Sequence, residues 1–385
     1  MIKNVALKKI LKGTIFKGIT LINKIIPKDE KIVLLYMGNK GLGFNLRPLY
    51  NYLIDNDYNK KYKIICSVES KQFFEEADEN VLFVDHFDAI RWYLRASHVF
   101  YTAGQLPIKP NHDQIVIHMN HGITDYKTVG ALTRIDNGDE FFFTHMIAPA
   151  EIYRPIFAAE YLCSENNIVI CGEPMVDKIN APQKIYDFKI YNKVLLWMPT
   201  FRQSDYLGYD DSNFDQILPL FDESQYKELN SCLLKYNCLL IVKIHPSQSL
   251  GNYERNNYSH LKIYSNEDFV NFGMDVYDLM AQVDGLIGDY SSASLQFLLT
   301  NKPLAYVIPD IEEYRTKRGF VFENPLDYMP GHHIYNVEEF YKFIDDFMND
   351  YDVYKDERVR VKNIIHKFDD GNNCERILGI SNIKI

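Results

Sequence analysis

The sequence of 385 residues has no run of eighteen apolar residues, no C-x-x-C pair and no excess of positive charge. Without such an apolar run, no membrane-spanning helix is expected. Its six cysteines are scattered, which indicates neither a zinc site nor a disulfide framework and fits a reducing cytoplasm. The net charge of −10 disfavours a broad nucleic-acid-binding surface, so no nucleic-acid partner is predicted.

The first 30 residues differ from the rest of the chain in charge. Residues 1–28 contain seven lysines and no acidic residue. Apolar residues recur there at helical spacing, at Leu7, Leu11, Ile15, Ile22 and Ile26. A basic amphipathic helix of this kind can lie in an anionic membrane surface, and the alternative is packing against the protein's own body. The charge contrast favours the membrane surface, so we predict a cytoplasmic protein held peripherally at the inner face of the cell membrane.

After this segment, short apolar strands alternate with amphipathic helices, and the pattern restarts near residues 175–195. Such alternation is typical of parallel sheets covered on both faces. The sequence therefore predicts an α/β protein with two Rossmann-like, doubly wound domains facing a cleft. We expect the first domain at residues 31–180 and the second at 181–354. The closing helical segment, 355–385, is expected to pack back onto the first domain.

Three apolar strands of the second domain end in polar loops, with the sequences PTFR (199–202), KIHP (243–246) and DYSS (289–292). Ligands in open α/β sheets lie beyond the carboxyl ends of the strands. Hydroxyls at the start of a helix suit a phosphate, as do a guanidinium and a histidine. Taken singly, each residue could instead be a helix cap, a structural histidine or a surface ion pair. The candidate ligand-binding residues are Thr200, Arg202, Lys243, His245, Asp289, Ser291 and Ser292.

In the first domain, the stretch IHMNHGIT ends a strand with two histidines. A neutral histidine at such a position is a natural general base for a hydroxyl acceptor. The glycine-rich loop that begins at residue 38 lacks the third glycine of G-x-G-x-x-G, which weakens a dinucleotide interpretation. His121 and His245 are the catalytic candidates. Further candidates on this side are Gly38, Gly41, Asn45, His118, Gly122 and Thr124.

The order of these motifs resembles the CDP-glycerol glycerophosphotransferase family of teichoic acid and capsule synthesis. The similarity runs from about residue 31 to about residue 345, and includes GEPMVD (172–177) and the stretch from Asp310 to Tyr314. It implies the GT-B type of glycosyltransferase architecture, with an acceptor-side first domain and the CDP donor bound by the second. It also implies that His121 is the base, and that His245 and the serines of DYSS hold the CDP group.

The resemblance implies transfer of glycerol phosphate, or a related polyol phosphate, from CDP-glycerol to a hydroxyl acceptor with release of CMP. The implied acceptor is a lipid-linked saccharide or growing polymer, and family members are peripheral membrane proteins. No carboxylate cluster has clear metal-ligand spacing, so no bound metal is predicted. A Mg²⁺ ion held loosely by the pyrophosphate of the donor is the alternative that the sequence leaves open.

Departures from the family pattern leave the polyol and the acceptor open. Met175 stands where the family usually has arginine, and Gly288 where it usually has threonine. Ribitol phosphate is therefore an alternative, and the sequence does not separate priming from polymerisation. Two other classes stay open: a GT-B enzyme that uses a CMP-sugar, such as a sialyltransferase or polysialyltransferase, and a non-catalytic nucleotide-binding protein.

Overall fold

Two parallel β-sheets organise the chain, one in each of two units. The computed structural model describes residues 12–38, 41–122, 125–133, 140–200, 203–204, 209–210, 217–245 and 258–385. The first unit takes the residues up to Ile123, then Val129–Asp177 and Asp370–Ile385. The second unit takes Thr124–Thr128 and Lys178–Asp369.

The first unit contains a seven-stranded sheet in which every neighbouring pair is parallel. Its strands are β1 (Asp29–Tyr36), β2 (Lys63–Ser67), β3 (Val81–Val84), β4 (Ala96–Tyr101), β5 (Ile115–His118), β6 (His145–Ala148) and β7 (Ile168–Ile170). They lie in the order β3-β2-β1-β4-β5-β6-β7. All six residues of the central strand β4 are buried, as expected where helices cover both faces of a parallel sheet.

The second unit contains a six-stranded parallel sheet and a two-stranded antiparallel hairpin. Its strands are β8 (Lys193–Trp197), β9 (Gln203–Ser204), β10 (Tyr209–Asp210), β11 (Cys238–Lys243), β12 (Leu261–Tyr264), β13 (Gly285–Gly288), β14 (Leu304–Val307) and β15 (His332–Ile334). The sheet order is β12-β11-β8-β13-β14-β15, and β9 pairs with β10. The two parallel sheets confirm the predicted α/β class.

Helices follow most strands in both units. They are α1 (Lys17–Asn23), α2 (Leu46–Asp55), α3 (His86–Tyr93), α4 (Tyr153–Glu160), α5 (Asp177–Asn180), α6 (Tyr226–Tyr236), α7 (Asn266–Asn271), α8 (Val276–Gln282), α9 (Ser292–Phe297), α10 (Ile311–Lys317), α11 (Val337–Met348), α12 (Lys355–Ile365) and α13 (Asn373–Ile380). Side-chain caps explain several starts; Ser265, for example, accepts a hydrogen bond from the backbone N–H of Asp268 before α7. Helix α11 buries Phe340, Phe343 and Phe347 against the second sheet.

The closing segment divides between the two units, which differs from the expectation that residues 355–385 stay together. Helix α12 lies with the second unit because the buried Arg358 forms an ion pair with Asp352 and donates to the carbonyl of Asn301. Helix α13 lies with the first unit, where the carboxylate of Asp177 accepts hydrogen bonds from Asn373 and the backbone N–H of Cys374. Only residues 370–385 return to the first unit, and the change of unit falls at Asp177 rather than at residue 180.

The described part of the basic N-terminal segment is helical as far as Asn23 and is partly packed on the first unit. A turn of π-helix, Lys12–Phe16, leads into α1, and Phe16 and Ile19 pack against the apolar core. Asn23 is fully buried and donates to Gln114. Ile15 and Ile22, from the predicted apolar stripe, are exposed, whereas Leu7 and Leu11 lie outside the described residues. None of the described helices combines the length and hydropathy that a membrane-spanning segment requires.

Candidate functional site

The polar loops of the second unit leave three neighbouring strands at one edge of the sheet. Strand β8 ends at Trp197, β11 at Lys243 and β13 at Gly288, and β8 is the neighbour of both others. Because the three strands are parallel, their carboxyl ends meet at the same edge. The sheet therefore brings together the described parts of the PTFR, KIHP and DYSS motifs.

Asp289, the first residue of DYSS, is buried and forms hydrogen bonds with residues of two of these loops. One carboxylate oxygen accepts from the backbone N–H of Thr200 at 2.7 Å, and the other from the Thr200 hydroxyl at 2.5 Å. The second oxygen also accepts from the backbone N–H of Ser291 at 3.2 Å. With 1% of its surface exposed, Asp289 lies beneath the loops rather than at their surface. This geometry gives Asp289 a role in positioning the Thr200 and Ser291 loops.

The two serines of DYSS are half-buried at the start of α9. The hydroxyl of Ser291 accepts from the backbone N–H of Ala293 at 3.3 Å, and the Ser291 carbonyl accepts from the hydroxyl of Ser294 at 2.7 Å. Gly288 allows this turn to pack closely, since a Cβ there would lie 2.9 Å from the Cβ of Ser294. The turn is thus built as a helix cap, and its binding of a phosphate stays a prediction.

Lys243 is a buried cation at the carboxyl end of β11. Only 8% of its surface is exposed, and its Nζ lies 5.3 Å from the ring centroid of Phe269 and 3.5 Å from the carbonyl oxygen of Ile244. Burial lowers the pKa of this ammonium group to about 8. Among the described residues, no carboxylate lies within ion-pair distance of Nζ. Such a cation is poised to gain from an anionic ligand. His245, two residues on, is half-buried.

The two candidate histidines of the first unit, His118 and His121, have opposite surroundings, and His118 is the buried one. Its ring stacks between Tyr101, with centroids 4.6 Å apart, and Phe141, at 5.2 Å. Only 1% of its surface is exposed, and burial lowers its pKa to about 3. A histidine so enclosed and so weakly basic is poorly suited to take a proton from a substrate. His118 therefore fits a core position better than a catalytic one.

His121 is exposed, and the backbone before it is held in an uncommon conformation. Asn120 has φ +50, and its side-chain oxygen accepts from the backbone N–H of His121 at 2.7 Å. Its amide nitrogen donates to the hydroxyl of Tyr161 at 2.8 Å. The ring of Phe44 meets the His121 ring edge-on, with centroids 5.6 Å apart. These contacts present the imidazole at the surface just beyond β5. Asn120 and Tyr161 were not among the residues predicted from the sequence, because no local pattern marks them.

Two of the first unit's remaining candidates have structural roles. A Cβ at Gly38 would lie 2.4 Å from the carbonyl oxygen of Ala103, so glycine is needed where the two backbones cross. Asn45 is fully buried, donates to the carbonyl of Met119 at 2.8 Å and accepts from the backbone N–H of Met175 at 3.1 Å. Asn45 thus joins the segment after β5 to the GEPMVD stretch.

The other candidates of the first unit are less constrained. Near Gly41, a Cβ would meet only the Phe73 side chain, at 3.8 Å. Gly122 has φ +144, a conformation that favours glycine. Arg202 and Thr124 lie outside the described residues, so their predicted contacts stay predictions.

The stretch from Asp310 to Tyr314 is linked to DYSS by aromatic packing. The hydroxyl of Tyr290 donates to the carboxylate of Asp310 at 2.9 Å, and the rings of Tyr290 and Tyr314 stack with centroids 4.2 Å apart. Both tyrosines are fully buried. Two motifs that are separate in the sequence are therefore packed together in the second unit. Within the described ranges, no group of three His, Cys, Asp or Glu side chains could hold a metal ion.

Comparison with known proteins gives a family match and several distant relatives. Residues 19–380 match the family model described as CDP-glycerol:poly(glycerophosphate) glycerophosphotransferase. The teichoic acid poly(ribitol-phosphate) polymerase of Bacillus spizizenii is 25% identical over 87% of this chain and 56% of that protein. The teichoic acid glycerol-phosphate primase of Bacillus subtilis is 28% identical over 61% of this chain and 56% of that protein. The chain therefore spans little more than half the length of either relative.

Solved structures show the fold. The wall teichoic acid polymerase TagF superposes with a TM-score of 0.72 at 19% identity, covering 98% of this chain and 95% of that chain. A putative UDP-N-acetylglucosamine 2-epimerase from Listeria monocytogenes superposes with a TM-score of 0.54 at 12% identity, covering 92% of this chain and 96% of that chain. These similarities confirm the predicted GT-B type of architecture.

Proposed function

Because this chain belongs to the CDP-glycerol:poly(glycerophosphate) glycerophosphotransferase family, we propose that it transfers a polyol phosphate from a CDP-polyol to a hydroxyl acceptor in teichoic acid or capsule synthesis. The observation that carries the proposal is the convergence of the PTFR, KIHP and DYSS loops at one sheet edge, within a chain matched by that family over residues 19–380. Glycerol is the proposed polyol, with ribitol as the close alternative because relatives of both kinds are similar to this chain.

In the proposed reaction, an acceptor hydroxyl attacks the β-phosphorus of the CDP-polyol. The new acceptor oxygen–phosphorus bond forms as the bond from this phosphorus to the bridging oxygen breaks, and CMP leaves. His121 takes the hydroxyl proton, a role that its exposure supports. Lys243, His245, Arg202 and the DYSS turn are proposed to balance the charge of the phosphates. Catalysis then depends on positioning and electrostatic stabilisation.

A donor screen tests this function. The purified chain is incubated with a lipid-linked saccharide and with CDP-glycerol, CDP-ribitol or CMP-sialate, and the product mass is measured. We expect CMP release and a mass increase of one or more glycerol phosphate units with CDP-glycerol. Transfer from CMP-sialate alone would replace the proposal with a sialyltransferase. Release of CMP from none of the three donors, with the protein folded, would overturn it.

Asp289→Asn is expected to weaken CDP binding roughly tenfold and to lower the free energy of unfolding by about 1–3 kcal/mol, the cost of leaving a buried donor unsatisfied. An amide –NH₂ at this position would face the backbone N–H groups of Thr200 or Ser291. Calorimetry with CDP and thermal unfolding measure the two effects.

Asp284→Asn is the matched control for this variant. The Asp284 carboxylate accepts from the backbone N–H of Val194 at 2.8 Å, and it precedes β13, whereas Asp289 follows it. This control should keep wild-type CDP affinity. Wild-type CDP affinity in Asp289→Asn itself would contradict the positioning role of that carboxylate.

We also propose that the first unit docks on an anionic bilayer through a surface beside α1 and α3. A groove of about 600 Å³ is lined by Ile26, Pro27, Phe87, Ile90, Arg91, Leu94 and Arg95. Phe87, which lines the groove, is 87% exposed, and Ile25, the residue before the lining Ile26, is 80% exposed. Apolar groups beside arginine and lysine complement acyl chains beneath anionic headgroups.

The double variant Ile25→Ser with Phe87→Ser is expected to lose binding to vesicles that contain an anionic phospholipid. Removing the burial of two large apolar side chains weakens binding roughly tenfold or more for each. These substitutions suit the test better than truncation, because deleting residues 1–28 would also remove the buried Asn23. Vesicle flotation measures binding, and turnover is compared on a lipid-linked and a short soluble acceptor.

The control is Ile190→Ser with Val270→Ser, two residues of the second unit that are 75% and 70% exposed. It should float with vesicles as the wild type does. If the Ile25 and Phe87 variant also floats unchanged, this surface is not the membrane contact.

A further inference from the structure

The few residues after His121 and Gly122 belong to the second unit, although His121 itself belongs to the first. Residues up to Ile123 lie in the first unit, Thr124–Thr128 lie in the second, and the chain returns to the first at Val129. None of the named strands and helices of the described chain falls within residues 125–128. The contacts of this short segment therefore need an explanation other than the completion of a sheet.

Tyr126 holds this short segment in the core of the second unit. Its side chain is fully buried, and its hydroxyl donates to the carbonyl of Tyr328 at 2.7 Å. The ring meets Phe322 edge-on, with centroids 6.2 Å apart. The carbonyl of Tyr126 accepts from the backbone N–H of Val321 at 2.8 Å. Tyr126 is thus held in the second unit by burial of its ring, by a side-chain hydrogen bond and by a backbone hydrogen bond.

Thr128 and Lys127 extend the attachment along the same partner segment. The Thr128 hydroxyl donates to the carbonyl of Arg318 at 2.8 Å, and its backbone N–H donates to the carbonyl of Gly319 at 3.3 Å. Lys127 forms an isolated antiparallel bridge with Phe320. Residues 126–128 therefore lie along residues 318–321 like a short added strand.

Residues 318–321, along which they lie, pack against two of the motifs, Asp310–Tyr314 and DYSS. Phe320 stacks on Tyr314 with centroids 5.6 Å apart, and Tyr314 stacks on Tyr290 of the DYSS motif. Tyr290 is fixed in turn by its hydrogen bond to Asp310. The segment after His121 is therefore fastened to the element that also carries the two serines.

We propose that Tyr126 and Thr128 are positioning residues that act through His121, by fixing the carboxyl-terminal side of the loop that carries it. On its amino-terminal side, the loop is fixed by Asn120, whose side chain bonds both the His121 N–H and the Tyr161 hydroxyl. A general base must stay within hydrogen-bond reach of the proton that it accepts, and a misplacement of about 1 Å can cost a hundredfold in rate. The inference rests on the proposed function in taking His121 as the base.

Thr128→Val tests it, because this substitution removes the bond to Arg318 and keeps the shape of the side chain. We expect turnover to fall on the order of tenfold, with the KM for the CDP-polyol, the affinity for CDP and the Tm close to wild type. Thr128→Ser keeps the hydroxyl and should restore turnover. Thr316→Val loses a similar bond, from its hydroxyl to the carbonyl of Glu312 at 2.9 Å, and serves as the control with unchanged turnover.

A double variant separates positioning from general weakening of the fold. In a His121→Ala background, Thr128→Val should cause no further loss of single-turnover rate, because the group that it positions is absent. A further loss of the same size as in the wild-type background would overturn the inference, as would unchanged turnover in Thr128→Val. If Thr128→Val does not fold, Tyr126→Phe, which keeps the buried ring and removes the bond to Tyr328, takes its place under the same criteria. A wild-type chain with no turnover on any CDP-polyol would instead refute the proposed function.

Discussion

Replacing His121 by alanine is expected to lower turnover on a CDP-polyol by roughly two or more orders of magnitude, the usual range for losing a general base. CDP affinity should stay nearly unchanged, because the residues proposed to hold the nucleotide lie in the second unit. His121 is the exposed histidine of the pair that ends and follows β5, and Asn120 and Phe44 hold its loop and ring. Steady-state kinetics and calorimetry with CDP measure the two quantities.

His112→Ala is the matched control, since His112 is an exposed histidine of the same unit with 80% of its side chain open to solvent. It should keep full turnover. Near-normal turnover in His121→Ala would mean that the base lies elsewhere. His118 would be a poor substitute, because its stacking between Tyr101 and Phe141 leaves it no route to a substrate hydroxyl.

Lys243→Met is expected to weaken CDP-polyol binding by roughly ten- to a hundredfold, the range for losing a hydrogen bond to a charged group. The wild-type affinity should also fall as the pH rises through about 8, the lowered pKa of this amine, because the neutral amine no longer attracts phosphate. The variant should lack this pH dependence. Calorimetric titrations between pH 6.5 and 9.5 measure both effects.

The same substitution should raise the stability of the ligand-free protein near neutral pH. Burial lowers the pKa of Lys243 from 10.5 to about 8, so between these values the unfolded chain binds more protons than the folded one. The wild-type free energy of unfolding therefore rises with pH across this window, and below it the buried charge destabilises the fold. Methionine removes that cost, so the Tm at pH 7 should increase.

Lys262→Met is the control for both effects, since Lys262 lies on the neighbouring strand β12 and its ammonium group donates to the carbonyl of Tyr258 at 2.6 Å. Lys262→Met should change neither the affinity for CDP nor the pH dependence of that affinity. Wild-type donor affinity in Lys243→Met would remove this residue from the binding site.

The strands of both sheets could be predicted because most of them are continuous apolar runs. Strand β11, for example, is buried throughout, as a central parallel strand must be. Strand β15 was not predicted, because its three residues, His332–Ile334, include two histidines and are identified only by pairing with β14. The division of the closing segment between the two units was not predicted either. Arg358 bonds to the carbonyl of Asn301 and Asn373 to Asp177, and both partners are distant in the sequence.

The site was predicted in part, because residue types at strand ends are visible in a sequence while their partners are not. The three motif loops meet because β8 lies between β11 and β13, an order that no local pattern gives. Asp289 has the residue type of a ligand contact, but its carboxylate is directed at Thr200, 89 residues away. Gly38 similarly fits a ligand loop, although its nearest neighbour is the carbonyl of Ala103.

His118 and His121 show the same limit of sequence-based prediction. In the sequence, His118 and His121 lie three residues apart at the end of one strand, and it was the family resemblance that singled out His121 as the base. They differ because Phe141 and Tyr161 close around the His118 ring, while Asn120 turns the chain so that His121 is exposed. Aromatic residues that come from another part of the chain decide which imidazole can meet a substrate.

Following the β-phosphorus of the donor shows whether the chain is a polyol-phosphate transferase. CDP-glycerol radiolabelled at the β-phosphorus is incubated with the chain and a lipid-linked saccharide acceptor, and the nucleotide and lipid fractions are separated and counted. We expect unlabelled CMP, and label in the acceptor, joined through a phosphodiester, in amounts equal to the CMP released. Label that stays in a nucleotide, or that appears only as free glycerol phosphate whether or not the acceptor is present, would contradict the proposed function.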